Sequence, residues 1–246
     1  MEQTTDGALL GGRLSYRQFR HGYRTGIEPV LLAAGIPARP GERVLEAGCG
    51  AGAGLMCLCR RVDALEGDGI EPDPGTAALA RHNWDLNGLE RLALHATRLA
   101  DLPDEVGSFD HAFANPPWHR ADASASPLGR RDLARRARPG LLDEWITLLA
   151  ARLRPGGTLT LILPAALHAQ ASGLMRGLAG LGGITLLPLW PRQGMAAKIV
   201  LMQGRRHSLA DAVVLPGLVL HQAGGSYTEA AERVLRGGEA LPTGVT

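Results

Sequence analysis

Apolar positions along this chain fall into two patterns. Short runs closed by glycine or proline read as strands, and longer stretches with hits three or four apart read as helices. The runs at 43–47, 92–99, 109–114 and 158–163 are strand-like, as are 184–190 and 197–203 near the end of the chain. Residues 65–70 are expected to form a weaker strand, because Glu66, Gly67, Asp68 and Gly69 disfavour it locally. Helical spacing predicts elements over 53–61, 75–86 and 165–181, and over 140–153, where Leu142, Trp145, Ile146, Leu149 and Leu153 recur on one side. A short apolar helix over 27–34 carries Pro29 in its first turn. Residues 14–19 suit a strand of an N-terminal hairpin, and the tail offers a strand at 213–220 and a helix at 228–236.

Strand and helix alternate through most of this order. The expected fold is therefore α/β and Rossmann-like, with a seven-stranded, mostly parallel sheet, an antiparallel edge hairpin and helices on both faces. The expected division is an N-terminal arm and helix over 1–40, a core over 41–206 and a C-terminal extension over 207–246, in a chain of 246 residues.

Composition narrows the class. No stretch approaches the roughly 18 uninterrupted apolar residues that a membrane span needs, and the polar, acidic start is unlike a secretory signal. A cytoplasmic protein without a membrane partner is expected. Cys49, Cys57 and Cys59 are an odd number in one short segment, which suits reduced thiols and not a disulfide or zinc framework. No metal is expected, and His21, His119 and His168 read as surface residues. Net charge is only +2, and Lys198 is the sole lysine. Arginine clusters instead: Arg120, Arg130, Arg131, Arg135, Arg136 and Arg138 crowd one stretch, and Arg13, Arg17, Arg20 and Arg24 form a second basic strip. The first cluster could meet phosphates or be an ordinary solvated face.

Two motifs carry chemistry. Glu46-Ala-Gly48-Cys-Gly50-Ala-Gly52 places three glycines at every second position after a strand and before a helix. Such a turn lets a ligand approach the helix N-terminus closely, and Glu71, about 20 residues beyond, suits a ribose diol. A dinucleotide fingerprint remains compatible with this turn taken alone. The second motif, Asn115-Pro116-Pro117-Trp118, follows the 109–114 strand. Two prolines fix φ and so preorganise the Asn115 Oδ1 and Pro116 carbonyl acceptors, while Trp118 offers a flat face for stacking. That set suits a planar group bearing an NH2 beside a bound cofactor, and hence methyl transfer to nitrogen.

With these motifs in place, the chain resembles the class I S-adenosylmethionine-dependent methyltransferases that modify planar nitrogens. The stretches Gly11-Gly-Arg-Leu14 and Tyr23-Arg-Thr-Gly-Ile-Glu-Pro-Val-Leu-Leu32 make it similar to the bacterial tRNA-valine adenine-N6 methyltransferases, as do Arg154-Pro-Gly-Gly157 and Ala197-Lys-Ile-Val-Leu201. The resemblance implies S-adenosyl-L-methionine as cofactor, with Glu46, Gly48, Gly50 and Gly52 around its methionine part. It implies Tyr23, Arg24, Thr25 and Gly26 bordering that end, Glu71 on the ribose, and Asn115, Pro116, Pro117 and Trp118 at the amine. Relatives often carry an acid after the third strand to meet the cofactor adenine. Ala96-Thr97 stands there here, leaving Thr97, a backbone acceptor or Asp101 as candidates. The implied partner is tRNA, with Arg120, Arg130, Arg131 and Arg135 as candidate RNA contacts, and the oligomeric state is unassigned. Alternative readings are an rRNA guanine-N2 or protein glutamine-N5 methyltransferase, a non-catalytic cofactor-binding RNA scaffold, or an NAD-dependent dehydrogenase. Trp145 and Trp190 read as core, and Trp84 as either core or a flank of the cofactor adenine.

Overall fold

The computed structural model describes residues 3–21, 24–117, 119–120, 136–137 and 140–243. An N-terminal hairpin pairs β1 (Thr4–Leu9) with β2 (Leu14–Phe19). It leads to α1 (Glu28–Ala34), whose Pro29 sits in the first turn. Then follow β3 (Arg43–Ala47), α2 (Ala53–Arg61), β4 (Glu66–Ile70), α3 (Pro74–Leu86), β5 (Leu92–His95) and β6 (Phe109–Ala114). Two-residue strands β7 (His119–Arg120) and β8 (Arg136–Ala137) pair with each other. The chain continues through α4 (Leu141–Ala151), β9 (Leu153–Pro164), α5 (His168–Gly177), β10 (Leu181–Arg192) and β11 (Ile199–Arg206). It closes with β12 (Val213–Val214), β13 (Leu218–His221) and α6 (Glu229–Leu235).

The main sheet runs β12-β10-β11-β9-β6-β3-β4-β5, with β13 also against β10. All seven expected strands are there, and β11 alone among them runs antiparallel to its neighbours. Two further strands bring the sheet to nine. They arise because the tail strand expected at 213–220 breaks at Pro216-Gly217, where Gly217 is left-handed at φ 84°. Its two pieces continue along β10 in parallel. Arg154-Pro-Gly-Gly157 forms an irregularity inside β9. Phe109 pairs with Leu153 and His111 with Thr158, so residues 154–157 are extra length against β6.

β4 forms despite its composition, and tertiary packing explains the residues that disfavour it. A Cβ on Gly69 would lie 2.7 Å from the Trp84 ring, and one on Gly67 2.5 Å from Leu92. Asp68 accepts from Arg43 Nη2 at 3.2 Å and meets His95 Nε2 at 2.7 Å. The sheet thus has a core on each face. One, with Leu31, Leu55, Trp84 and Leu235, lies under α1, α2, α3 and α6, and the other, with Ile146, Leu149 and Met175, under α4 and α5.

The hairpin is fastened to α3 by two asparagines one turn apart. Asn83 accepts from Arg17 N at 2.9 Å and donates to Arg17 O at 2.8 Å. Asn87 does the same to Ser15, at 3.0 and 2.8 Å. Each carboxamide substitutes for a neighbouring strand. The hairpin in turn holds Thr25, through the Tyr16 hydroxyl at 2.7 Å and Gln18 Oε1 at 3.2 Å. Within the N-terminal basic strip, Arg17 pairs with Asp6, Arg20 bonds Gln3 and Arg13 bonds the Gly237 carbonyl. Among the described residues no helix is long and apolar enough to cross a membrane.

Candidate active site

Strand register builds the site. Ala47 pairs with Ile70 on one side and Ala114 on the other, and Ile70 pairs with His95. Gly48, Glu71, Ala96 and Asn115 therefore leave the sheet at one level, in adjacent positions about 4.8 Å apart across the strands. These are carboxyl ends of parallel strands, where open α/β sheets bind ligands.

The glycine turn is held from both sides. Gly48, Gly50 and Gly52 are all left-handed, at φ 66°, 55° and 88°. Their side-chain positions differ sharply. A Cβ on Gly52 would fall 2.3 Å from Trp84 Nε1, and one on Gly48 2.9 Å from the Trp145 ring, whereas one on Gly50 meets nothing within 4 Å. Packing demands glycine at 48 and 52, while Gly50 is the one that opens onto free space. Trp84 is fully buried and donates to Gly52 O at 3.1 Å, so it belongs to the core and supports the turn. Trp145 is only half-buried, because it covers Gly48 at the rim of the sheet. Trp190 is likewise half-buried, bonded to the Pro216 carbonyl beside β13.

Two carboxyls brace this turn. Glu46 is buried and accepts from Leu55 N at 2.9 Å, at the start of α2. Burial pushes its pKa up to about 8, against the lowering by the Leu55 bond and with a small addition from Glu71. Glu71 accepts from Gly50 N at 3.1 Å and from Asp73 N at 2.9 Å. Burial raises its carboxyl too, and those two bonds oppose the rise. Each oxygen keeps a further lone pair for a diol. Asp73 caps α3, accepting from Thr76 N at 2.8 Å. Sequence reasoning missed Asn83, which is fully buried and donates to the Ala51 carbonyl at 2.9 Å. No local signal marks it, since its partners are 32 and 66 residues away.

Asn115 is half-buried and Pro116 buried. Among the described residues the Asn115 carboxamide makes no hydrogen bond. Thr97 is half-buried beside the Glu71 strand end, and its backbone N–H bonds the His95 carbonyl. Arg24 and Gly26 are exposed, next to the anchored Thr25. Tyr23, Trp118, Arg130, Arg131, Arg135 and Arg138 lie outside the described residues, as do the side chains of Arg120 and Arg136. Cys49 and Cys57 are buried and Cys59 is half-buried, all as free thiols. Burial pushes Cys59 up to about 12. Among the described residues no cluster of His, Cys, Asp or Glu is arranged to hold a metal.

A parallel sheet with a glycine turn after its first core strand, an acid ending the second and Asn-Pro-Pro ending the fourth is the arrangement that the resemblance to the class I S-adenosylmethionine-dependent methyltransferases implies. Residues 44–140 match the family described as a methyltransferase domain. The chain is similar to the tRNA1(Val) (adenine(37)-N6)-methyltransferases. That of Yersinia pestis is 29% identical over 164 residues, covering 63% of this chain and 66% of that protein. The chain thus spans slightly less than two thirds of the curated relatives it matches. Among solved structures, an Agrobacterium tumefaciens protein described as a predicted O-methyltransferase superposes with a TM-score of 0.69 at 25% identity. That match covers 87% of this chain and 97% of the other. The Pyrococcus horikoshii TYW2 structure in complex with MeSAdo shares the fold, with a TM-score of 0.55 at 16% identity, covering 85% and 73% of the two chains.

Proposed function

We propose that this protein transfers a methyl group from S-adenosylmethionine to the exocyclic N6 of an adenine in tRNA, in the cytoplasm. The observation that supports this most is the Ala47–Ala114 register, which sets the glycine turn beside an Asn115 carboxamide that is not otherwise engaged among the described residues.

The residues suit the cofactor. Gly50 opens onto free space next to Glu71, and the Glu71 oxygens retain acceptor capacity toward a ribose. S-adenosylmethionine, when bound, supplies a methyl group on a positively charged sulfur. The protein's part is to make the amine a nucleophile. An exocyclic amine is weak because its lone pair is delocalised into the ring. Asn115 Oδ1 and the Pro116 carbonyl accept its two N–H hydrogens and so favour a localised lone pair. Pro116 and Pro117 hold those acceptors in place at little entropic cost. The surplus proton leaves to solvent after the N–C bond has formed, so no strong base is required. Trp118 would stack on the base, and Arg120, Arg130, Arg131 and Arg135 would meet the flanking phosphates of a nucleotide drawn out of its stack. Tyr23 to Gly26 and Thr97 would close the two ends of the cofactor.

The test is incubation with labelled cofactor and separate pools of tRNA, rRNA and release factor, followed by nucleoside analysis. Label recovered as N6-methyladenosine from tRNA supports the reading. Label in protein glutamine, in guanine of rRNA, or in none of the three overturns it.

A further inference from the structure

Charge is distributed very unevenly over this fold. Between Glu144 and Glu229 there are seven arginine or lysine residues and one acid, Asp211, although the whole chain carries only +2. That stretch contains β9, β10, β11 and β13, the half of the sheet on the target side of Asn115.

Apart from Arg176, which is exposed at the end of α5 and makes no hydrogen bond or ion pair among the described residues, the two edges of this half use their cations differently. At the amino edge Arg152 bonds Asp104 and the Leu102 and Pro103 carbonyls, and Arg154 bonds Asp110. Arg205 and Arg206 there bond the carbonyls of Gly156 and of Ala150, Ala151 and Leu153. At the carboxyl edge Arg192 and Lys198 are exposed, and among the described residues neither side chain makes a hydrogen bond or ion pair.

Register locates that edge. Ala114, Leu161, Met202 and Leu186 stand at one level across β6, β9, β11 and β10. Arg192 is six positions past Leu186 and pairs with His221 of β13. At about 3.3 Å per residue, this end of the sheet rises roughly 17 Å above the level of Asn115, three strand spacings to one side. His221 stacks on Tyr227 there, with ring centroids 4.8 Å apart and planes at 22°. His168 is anchored by Nδ1 to the Ala165 carbonyl, and Ala165 N in turn bonds the Lys198 carbonyl, so His168 joins the same rim. Glu229, the next acid along the chain, is paired with Arg233.

We infer that the rim formed by Arg192, Lys198, His168 and the His221–Tyr227 stack is a docking surface for single-stranded RNA flanking the target adenine. This rests on the RNA reading proposed above. Uncompensated cations beside half-buried, stacked aromatic rings are what an unpaired strand requires: phosphates meet Arg192 and Lys198, and a base stacks on the part of the His221–Tyr227 pair left to solvent.

The experiment compares full-length wild type with the double variant Arg192→Ala/Lys198→Ala and with Tyr227→Ala. Filter binding to tRNA is measured across a salt series, beside steady-state kinetics, S-adenosylhomocysteine affinity and thermal melting. In the double variant the slope of log affinity against log salt should fall by about 1.5, for two lost phosphate contacts. KM for tRNA should rise about tenfold with kcat within about twofold, and cofactor affinity and melting should be unchanged. Tyr227→Ala should weaken tRNA binding about tenfold through the lost stacking face. If it lowers melting as well, the double variant decides. A wild type that methylates tRNA, together with a double variant of unchanged slope and KM, overturns the docking surface and leaves the proposed activity standing. A wild type that methylates no RNA overturns the proposed activity, and a salt slope that still falls in the double variant would keep the surface.

Discussion

One buried carboxamide ties the N-terminal hairpin to the glycine turn: Asn83 donates to the Ala51 carbonyl at 2.9 Å while its oxygen accepts from Arg17 N at 2.9 Å. Removing it leaves Arg17 N, Arg17 O and Ala51 O without their partner at once. An unsatisfied buried backbone group costs about 1–3 kcal/mol. Asn83→Ala is therefore expected to lose about 3 kcal/mol in urea unfolding and to weaken S-adenosylhomocysteine binding in calorimetry. Asn83→Asp keeps the acceptor and loses both donors, so it should not rescue either property. Asn87→Ala, whose bonds to Ser15 are exposed, should cost about 1 kcal/mol or less and leave ligand affinity alone. Equal losses at both asparagines would refute the proposed link to the turn.

The three glycines of the turn should separate packing from binding. Gly52→Ala forces a Cβ against Trp84 in a left-handed conformation, and is expected to destabilise the fold by about 3 kcal/mol or more. Gly50→Ala meets no atom, so only the left-handed backbone opposes it, at about 1 kcal/mol. Its main effect should be on S-adenosylhomocysteine affinity, which is expected to fall at least tenfold. Melting curves and calorimetry on the two variants check this, and a Gly50→Ala protein with unchanged affinity would remove Gly50 from the ligand face.

Much of this is legible in the sequence, for a physical reason. β6 ends at Ala114 as expected because the Asn-Pro-Pro that follows cannot continue a strand, and β3 ends at Ala47 because three glycines follow. Those are local constraints, and local constraints are what a sequence displays. Trp84 shows the limit. Its burial decides why Gly69 and Gly52 are glycines, yet it comes from a helix 15 and 32 residues further along. Asn83 and Asn87 look like ordinary surface residues of α3, since the backbone they bond lies more than 60 residues earlier. Trp145 reads as core from its helical spacing, because periodicity reports which side of a helix is apolar and not that its end reaches the rim of the sheet. The continuation of the tail along β10 follows from a break at Pro216 that propensity suggests and only pairing reveals.

Asn115 should divide chemistry from binding. Its carboxamide supports no other described part of the fold, so Asn115→Ala is expected to keep the melting temperature within about 2 °C. Cofactor affinity should stay within a few fold, while methyl transfer drops by about a thousandfold, the scale seen when a preorganised acceptor or donor is removed from a transition state. Single-turnover assays with saturating RNA measure this directly. A loss of cofactor affinity as large as the loss of rate would contradict the assigned role.

Two buried groups set opposite pH limits on stability. Glu46 has its pKa raised from 4.5 to about 8 by burial, so the folded state holds this proton more tightly than the unfolded chain does. Its contribution is fully present below about pH 4.5 and is lost as pH rises to about 8. A tenfold difference in proton affinity between the two states is worth about 1.4 kcal/mol, so the decline amounts to a few kcal/mol. His111 behaves oppositely. Burial lowers its pKa below 6.5, although Glu42, bonded to Nε2 at 2.9 Å, raises it in part. The unfolded chain takes up this proton first, so the stability that His111 contributes is present above about pH 6.5 and lost as pH falls through the depressed value. Urea unfolding of Glu46→Gln from pH 5 to 9 should lack the fall in stability that this group contributes between about pH 4.5 and 8, with the slope above pH 8 unchanged. His111→Gln should flatten the acid limb alone. Variants that shift the whole curve without changing either slope would show that neither group titrates with folding.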